Sequence, residues 1–207
     1  MATRCPGNRS IVRFVMAMAM SNLLAVAAAA AGDGQGSQVQ KLFQAGSYDE
    51  AVKAAQGSDP ANTYLAAQSL MRMEQGDRAN AEFGKLAASG DAWQAIGESG
   101  QALVASDAGR AVEAARRATA AAGDNPFAHY QLGLAASKAG DFATASSAFD
   151  RAAELKPDFA YSHYYAGLAF QRQRQLPKAA QHFDAFLKLA PDAPERSAVQ
   201  QIMRTLK

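Results

Sequence analysis

The chain has 207 residues, 49% hydrophobic and 19% charged, a balance that excludes a disordered or membrane-embedded chain and suits one alanine-rich helical domain. All 19 acidic residues lie from Asp33 onward, whereas Arg4, Arg9 and Arg13 precede it, so 18 basic residues face 19 acidic ones beyond residue 32 and the net charge there is −1. Nucleic-acid binding, which needs a basic stripe to displace counterions from phosphates, is excluded on that charge.

In chain order, Arg4, Arg9 and Arg13 lead into an apolar run from Phe14 to Ala31, with A-x-A sites at Ala27–Ala29 and Ala29–Ala31. That is the pattern of a secretory signal peptide over residues 1–31, cleaved near residues 29–31, and it predicts a periplasmic or secreted protein with no membrane insertion after its removal. The alternative is an uncleaved inner-membrane anchor, because the run approaches spanning length, although Ser21 and Asn22 interrupt it. Cys5, the single cysteine, stands before the run rather than after it, so it is not placed as a bacterial lipoprotein cysteine and the mature chain has no thiol.

Residues 32–37 are Gly, Asp, Gln and Ser, a flexible lead-in. Residues 38–193 then read as helical hairpins. Gln38–Ala45 and the segment from Tyr48 flank a turn at Gly46-Ser47, and the second helix is cut short before Gly57-Ser58-Asp59-Pro60. Between Asn62 and Ser89 a weaker hairpin is expected, with Gly76-Asp77 as its turn and Ala81 at the position of Ala51. From Ala92 to Asn125 the unit is 34 residues long, with Ala111, Ala115 and Ala118 in its second helix and Glu98-Ser99 in its first.

Two copies of one unit follow, 126–159 and 160–193. Gly133 meets Gly167, Ala145 meets Ala179, Phe149 meets Phe183 and Pro157 meets Pro191, all at a period of 34, while Leu132 is answered by Ala166. Small residues let two antiparallel helices cross closely, the phenylalanines fill the space between hairpins, and the prolines stop each second helix. Asn125 before Pro126 is a helix start. Phe186 stands where Ala152 stands one unit earlier, which predicts altered spacing at the end of the array. Last, 194–207 places Val199, Ile202, Met203 and Leu206 on one helical face and predicts a C-terminal capping helix.

This pattern resembles the tetratricopeptide repeat, whose first helix carries Leu-Gly and whose second carries Ala, aromatic, Ala, Pro. The resemblance is strict over Pro126–Ala193 and looser back to Gln38. It implies an all-α solenoid of antiparallel helix pairs whose first helices line a concave groove. By the family's geometry that groove would present Phe127, Tyr130, Leu134, Ser137 and Lys138 from one repeat, and Tyr161, Tyr164, Tyr165, Leu168, Gln171 and Arg172 from the next. The surface would be aromatic with a basic edge at Lys138, Arg172 and Arg174. A carboxylate clamp of the chaperone-binding kind is not expected, since Tyr130, Leu134, Tyr164 and Leu168 occupy its places. The plainer reading of any one ring is packing between neighbouring first helices.

Catalytic signatures are missing: the sequence has no Ser-His-Asp order, no phosphate-cradling glycine loop and no H-E-x-x-H. His129 and His163, one repeat apart, read as packing residues, as does Trp93; His182 completes the set. No Asp or Glu is adjacent to His129 or His163, so no metal or other cofactor is expected. The sequence therefore predicts a non-catalytic protein–protein interaction scaffold or adaptor in the bacterial cell envelope that binds a protein or peptide segment. Alternatives are a membrane-tethered assembly factor, a small-ligand or metal carrier using the histidines, and a self-associating element.

Overall fold

The computed structural model describes residues 38–57 and 59–206, and among them it has eleven helices and no strand. In order they are α1 (38–44), α2 (Tyr48–Ala54), α3 (Pro60–Arg72), α4 (Gly76–Ala87), α5 (Asp91–Val104), α6 (Ala108–Ala121), α7 (Pro126–Ala139), α8 (Phe142–Leu155), α9 (Ala160–Arg172), α10 (Leu176–Leu189) and α11 (Arg196–Thr205). The expected signal peptide and lead-in lie outside the described residues.

Side-chain caps set several of the starts. Asp59 accepts from the Asn62 amide and precedes Pro60, Asn125 accepts from the Phe127 amide and precedes Pro126, and Asp107 and Asp141 accept from Arg110 and Thr144. The turns inside the hairpins share one left-handed position, filled by Gly46 and Gly140 and also by Glu74, Ser106 and Arg174 with φ of 58, 60 and 59°. Left-handed backbone costs a residue with a Cβ roughly 1–2 kcal/mol, so three turns carry strain that Gly140 avoids.

The array stacks each second helix on the next first helix, α2 on α3, α4 on α5, α6 on α7 and α8 on α9, with α11 on α10. Crossings in the strict repeats close on a ring: a Cβ at Gly133 would lie 2.6 Å from the Phe149 ring, and one at Gly167 2.6 Å from the Phe183 ring. Upstream, the register differs from the sequence expectation. Gly76 and Asp77 are not a turn but the first residues of α4; Glu74 turns the chain, Ala79 is buried and Ala81 is exposed. Helices α3 and α4 start at 60 and 76, each 66 residues before α7 and α8 at 126 and 142. In that register Tyr64, Ala67, Ala79 and Phe83 match Tyr130, Gly133, Ala145 and Phe149.

Phe186 packs against α9, its ring centroid 5.9 Å from Tyr161 and 5.1 Å from Tyr164. Val199 is the buried residue of α11. The winding is tight enough that α3 touches α7 and α9: Tyr64 lies 5.4 Å from Phe127 and 6.3 Å from Tyr130, and Arg72 reaches across to Tyr165 of α9 and pairs with Glu195.

Candidate functional site

Residues one helical turn apart on the first helices place a row of rings on the inside of the array: Tyr64 on α3, Trp93 on α5, Phe127 and Tyr130 on α7, and Tyr161, Tyr164 and Tyr165 on α9. Successive rings touch, with Trp93 and Phe127 centroids 5.9 Å apart, Tyr130 and Tyr165 5.9 Å, and Tyr164 and Tyr165 5.0 Å. Such tilted and edge-on pairs add to the simple gain from burial.

The sequence expectation of an open groove is corrected here. Phe127, Tyr130 and Tyr161 are buried, Tyr130 and Tyr161 at 1% and 0% exposure. Leu134, Ser137, Tyr164, Tyr165, Leu168 and Gln171 are half-buried, and only Lys138 and Arg172 are exposed. The inner face is covered for two physical reasons. The array curls until α3 meets α7 and α9, and the N-terminal helix α1 lies against the start of α9. Phe43 of α1 stacks on Phe159 at 6.1 Å and leans on Tyr161 at 5.0 Å. Gln40 Nε2 donates to the Asp158 carboxylate (2.9 Å) and carbonyl (3.1 Å), and Gln44 Oε1 accepts from the Ala160 amide. The α1–α2 turn at Gly46 packs on Pro194, leaving no room for a Cβ.

Most polar groups in this interior are paired, Asn62 Oδ1 and Ser162 Oγ being buried with no hydrogen-bond partner among the described residues, and sequence reasoning singled out neither Gln131 nor Arg72 among them. Gln131 Oε1 accepts from the Tyr64 hydroxyl at 2.8 Å, Gln131 Nε2 donates to Ser99 Oγ at 3.0 Å, and Ser99 Oγ donates to the Ala111 carbonyl at 2.9 Å. One chain of bonds thus joins α3, α7, α5 and α6. Arg72 places its guanidinium 4.6 Å from the centroid of the Tyr161 ring and donates to the Tyr165 hydroxyl at 3.0 Å. Tyr161 donates to Glu195 at 2.8 Å. Burial pushes the Tyr165 phenol up to about 12, and it raises Tyr161 further, so both keep their protons. Of the expected basic edge, Arg172 instead lies 5.8 Å from the Phe142 ring centroid at the start of α8, and Arg174 is a turn residue.

The histidines pair differently from the repeat expectation. His129 bonds the Gly123 carbonyl at 2.9 Å, while His163 meets His182 of α10, Nδ1 to Nδ1 at 3.2 Å. His182 Nε2 is 3.3 Å from Asp150 of α8, so a carboxylate does stand at the pair. Burial holds both imidazoles below the usual histidine range; for His163 the neighbouring ring adds to this, and for His182 Asp150 opposes it. No group of three or more His, Cys, Asp or Glu among the described residues is placed to hold a metal ion.

Residues 130–194 match the tetratricopeptide-repeat family. No curated protein matches the chain. Among solved structures the chain is similar to TTC0263, a thermophilic tetratricopeptide-repeat protein of Thermus thermophilus, at 15% identity and TM-score 0.59 over 84% of this chain and 98% of that one. It is similar to YrrB, described as having an unusual peptide-binding site, at 20% identity and TM-score 0.52 over 74% and 80%. The first repeat domain of Spaghetti (RPAP3), bound to an HSP90 peptide, aligns at 18% identity and TM-score 0.50 over 56% and 92%. At these identities the likeness carries the fold. No described helix is long and apolar enough to cross a membrane.

Proposed function

We propose that the chain is a tetratricopeptide-repeat protein, on its matched residues 130–194 and its fold, and that it is a non-catalytic scaffold that holds a segment of another protein against the inner face of α7 and α9. The fold is generally one for protein interaction, and the Spaghetti domain of the same fold holds a peptide. The observation that carries the reading is the seating of α1: the inner face already accepts a short amphipathic helix, using rings for its apolar side and backbone and side-chain polar groups for its amides. Tyr164, Leu168 and Gln171, half-buried further along α9, are the part of the face a ligand reaches first, with the more buried Phe127, Tyr130 and Tyr161 and the half-buried Leu134 and Tyr165 completing it. Lys138, exposed, leaves one positive charge at the edge of the face, while Arg172 is turned to Phe142.

The N-terminal sequence supports placing this scaffold in the bacterial cell envelope, with residues 1–31 as the export signal. The mass of the native protein tests it: loss of 29 to 31 residues is expected, and an intact N-terminus overturns cleavage in favour of a tether. For the scaffold itself, a photoreactive residue at Tyr164 is expected to cross-link one partner protein, while the same residue at exposed Arg151 on α8 does not. Equal cross-linking from both positions would remove the inner face as the binding site.

A further inference from the structure

Helices α7 and α9 begin equivalent repeats, yet their starts are built differently. Asn125 caps α7 through its own side chain; 34 residues on, the same place holds Phe159, and α9 has no side-chain cap from its own N-cap residue. The acceptor arrives from elsewhere in the chain: Gln44 of α1 takes the Ala160 amide, and Gln40 takes up the adjacent Asp158. Phe159 meanwhile lies under Phe43. Helix α1 therefore carries two side-chain pairs at i, i+4, the buried apolar pair Val39 and Phe43 and the amide pair Gln40 and Gln44, and both pairs are used.

We infer that α1 is a built-in occupant of a receptor site, displaced by a partner helix of the same chemistry: apolar and glutamine side chains in the register Val39-Gln40-x-x-Phe43-Gln44. This rests on the reading of the inner face as the partner-binding face. Several observations mark α1 as removable. It has only about two turns, a length at which a helix has little stability of its own. The buried bonds that hold the repeats together, Tyr64 to Gln131 to Ser99 to Ala111, do not pass through it. Its outer edge is incompletely packed: a cavity of about 360 Å³ runs between Lys41, Leu42 and Ala45 and the segment from Leu189 to Asp192. Leu189, on that cavity, is 38% exposed, one of two large hydrophobic side chains left open among the described residues. The link from α2 to α3 passes through exposed Gln56 and Gly57, which gives the hairpin a hinge.

The partner is thus a short amphipathic helix rather than an acidic tail: the face offers Asp158 as an acceptor and the α9 amide as a donor, a pair suited to primary amides. Two measurements on the full chain test this. Hydrogen exchange is expected to show the amides of 38–55 opening at least tenfold more often than those of α7–α10; equal protection would make α1 part of the permanent core and overturn the proposal. A fluorescent synthetic peptide of residues 38–57 is expected to bind the Phe43→Ala, Gln44→Ala double variant at least tenfold more tightly than the unaltered protein, with far-UV helicity retained. A folded double variant that ignores the peptide overturns it, and so does a dimer formed by exchange of hairpins, which would make the occupant a second copy. If 38–55 stays locked while Tyr164 still cross-links a partner, the displacement fails and the scaffold reading stands. If the peptide binds but no partner is found from Tyr164, the scaffold reading fails and displacement of α1 by a partner protein fails with it.

Discussion

In α7–α10 each hairpin closes on a ring from its own second helix, Phe149 over Gly133 and Phe183 over Gly167. In α5–α6 the same two places hold Ser99 and Ala115, and the crossing is closed by the Ser99 hydroxyl donating to the Ala111 carbonyl and accepting from Gln131. Ahead of both, the Phe83 ring of α4 lies where a Cβ at Gly100 of the next first helix would fall. The same architecture is thus reached by a ring against a missing side chain or by two small residues and a hydrogen bond. The first is self-contained within a repeat. The second depends in part on a glutamine two helices away, so the upstream crossing draws support from the downstream repeat.

The largest effect that would break this contrast is Gly133→Leu, which drives a branched side chain into the Phe149 ring; a loss of about 3 kcal/mol or more is expected by urea denaturation. Gln131→Ala comes next, at about 2 kcal/mol, because it takes the acceptor from the buried Tyr64 hydroxyl and the donor from Ser99, which keeps its bond to Ala111. Its damage should appear as faster hydrogen exchange in α3 and α5 rather than in α9 and α10. Tyr164→Ala, at a half-buried position, is expected to cost about 1 kcal/mol with helicity intact and to weaken partner capture.

Acidification probes the downstream half alone. The depressed His163 and His182 mean that the unfolded chain takes up protons first, so the stability present above about pH 6.5 is lost as pH falls through that value toward the folded ones. Asp150 of α8, Lys178 of α10 and each ring's partner face this pair. Melting temperature should therefore drop between about pH 7 and pH 5, and His182→Gln should flatten the drop. The smallest effect sharpens the comparison of turns: Arg174→Gly relieves a left-handed residue and should stabilise by about 0.5–1 kcal/mol, whereas Gly140→Ala should destabilise by a similar amount.

The downstream repeats were legible in the sequence because their contacts recur at a fixed period, with Gly133 and Phe149 only 16 residues apart. Tyr64 was harder to place, since Gly76-Asp77 looks like the Gly140-Asp141 turn and draws the register two residues off; the recurring tyrosine of Tyr64, Tyr130 and Tyr164 was the available signal. Ring positions on the inner helices followed from the family pattern, but their burial did not. It depends on how far the array curls and on α1 crossing to α9, contacts spanning more than a hundred residues that no local pattern encodes. Gln131 and Arg72 read as ordinary helix-surface residues for the same reason.

A linear stack of repeats normally frays from its ends, each unit leaning only on its neighbours. Arg72, at the end of α3, grips Glu195, just ahead of α11, so here the third helix is tied to the far end of the array. Helices α1 and α2 lie outside that clasp, whereas parting α3 from the end of α10 must first break it. The part from α3 to α10 should consequently melt in one sharp step, as a closed loop does, rather than unzipping unit by unit.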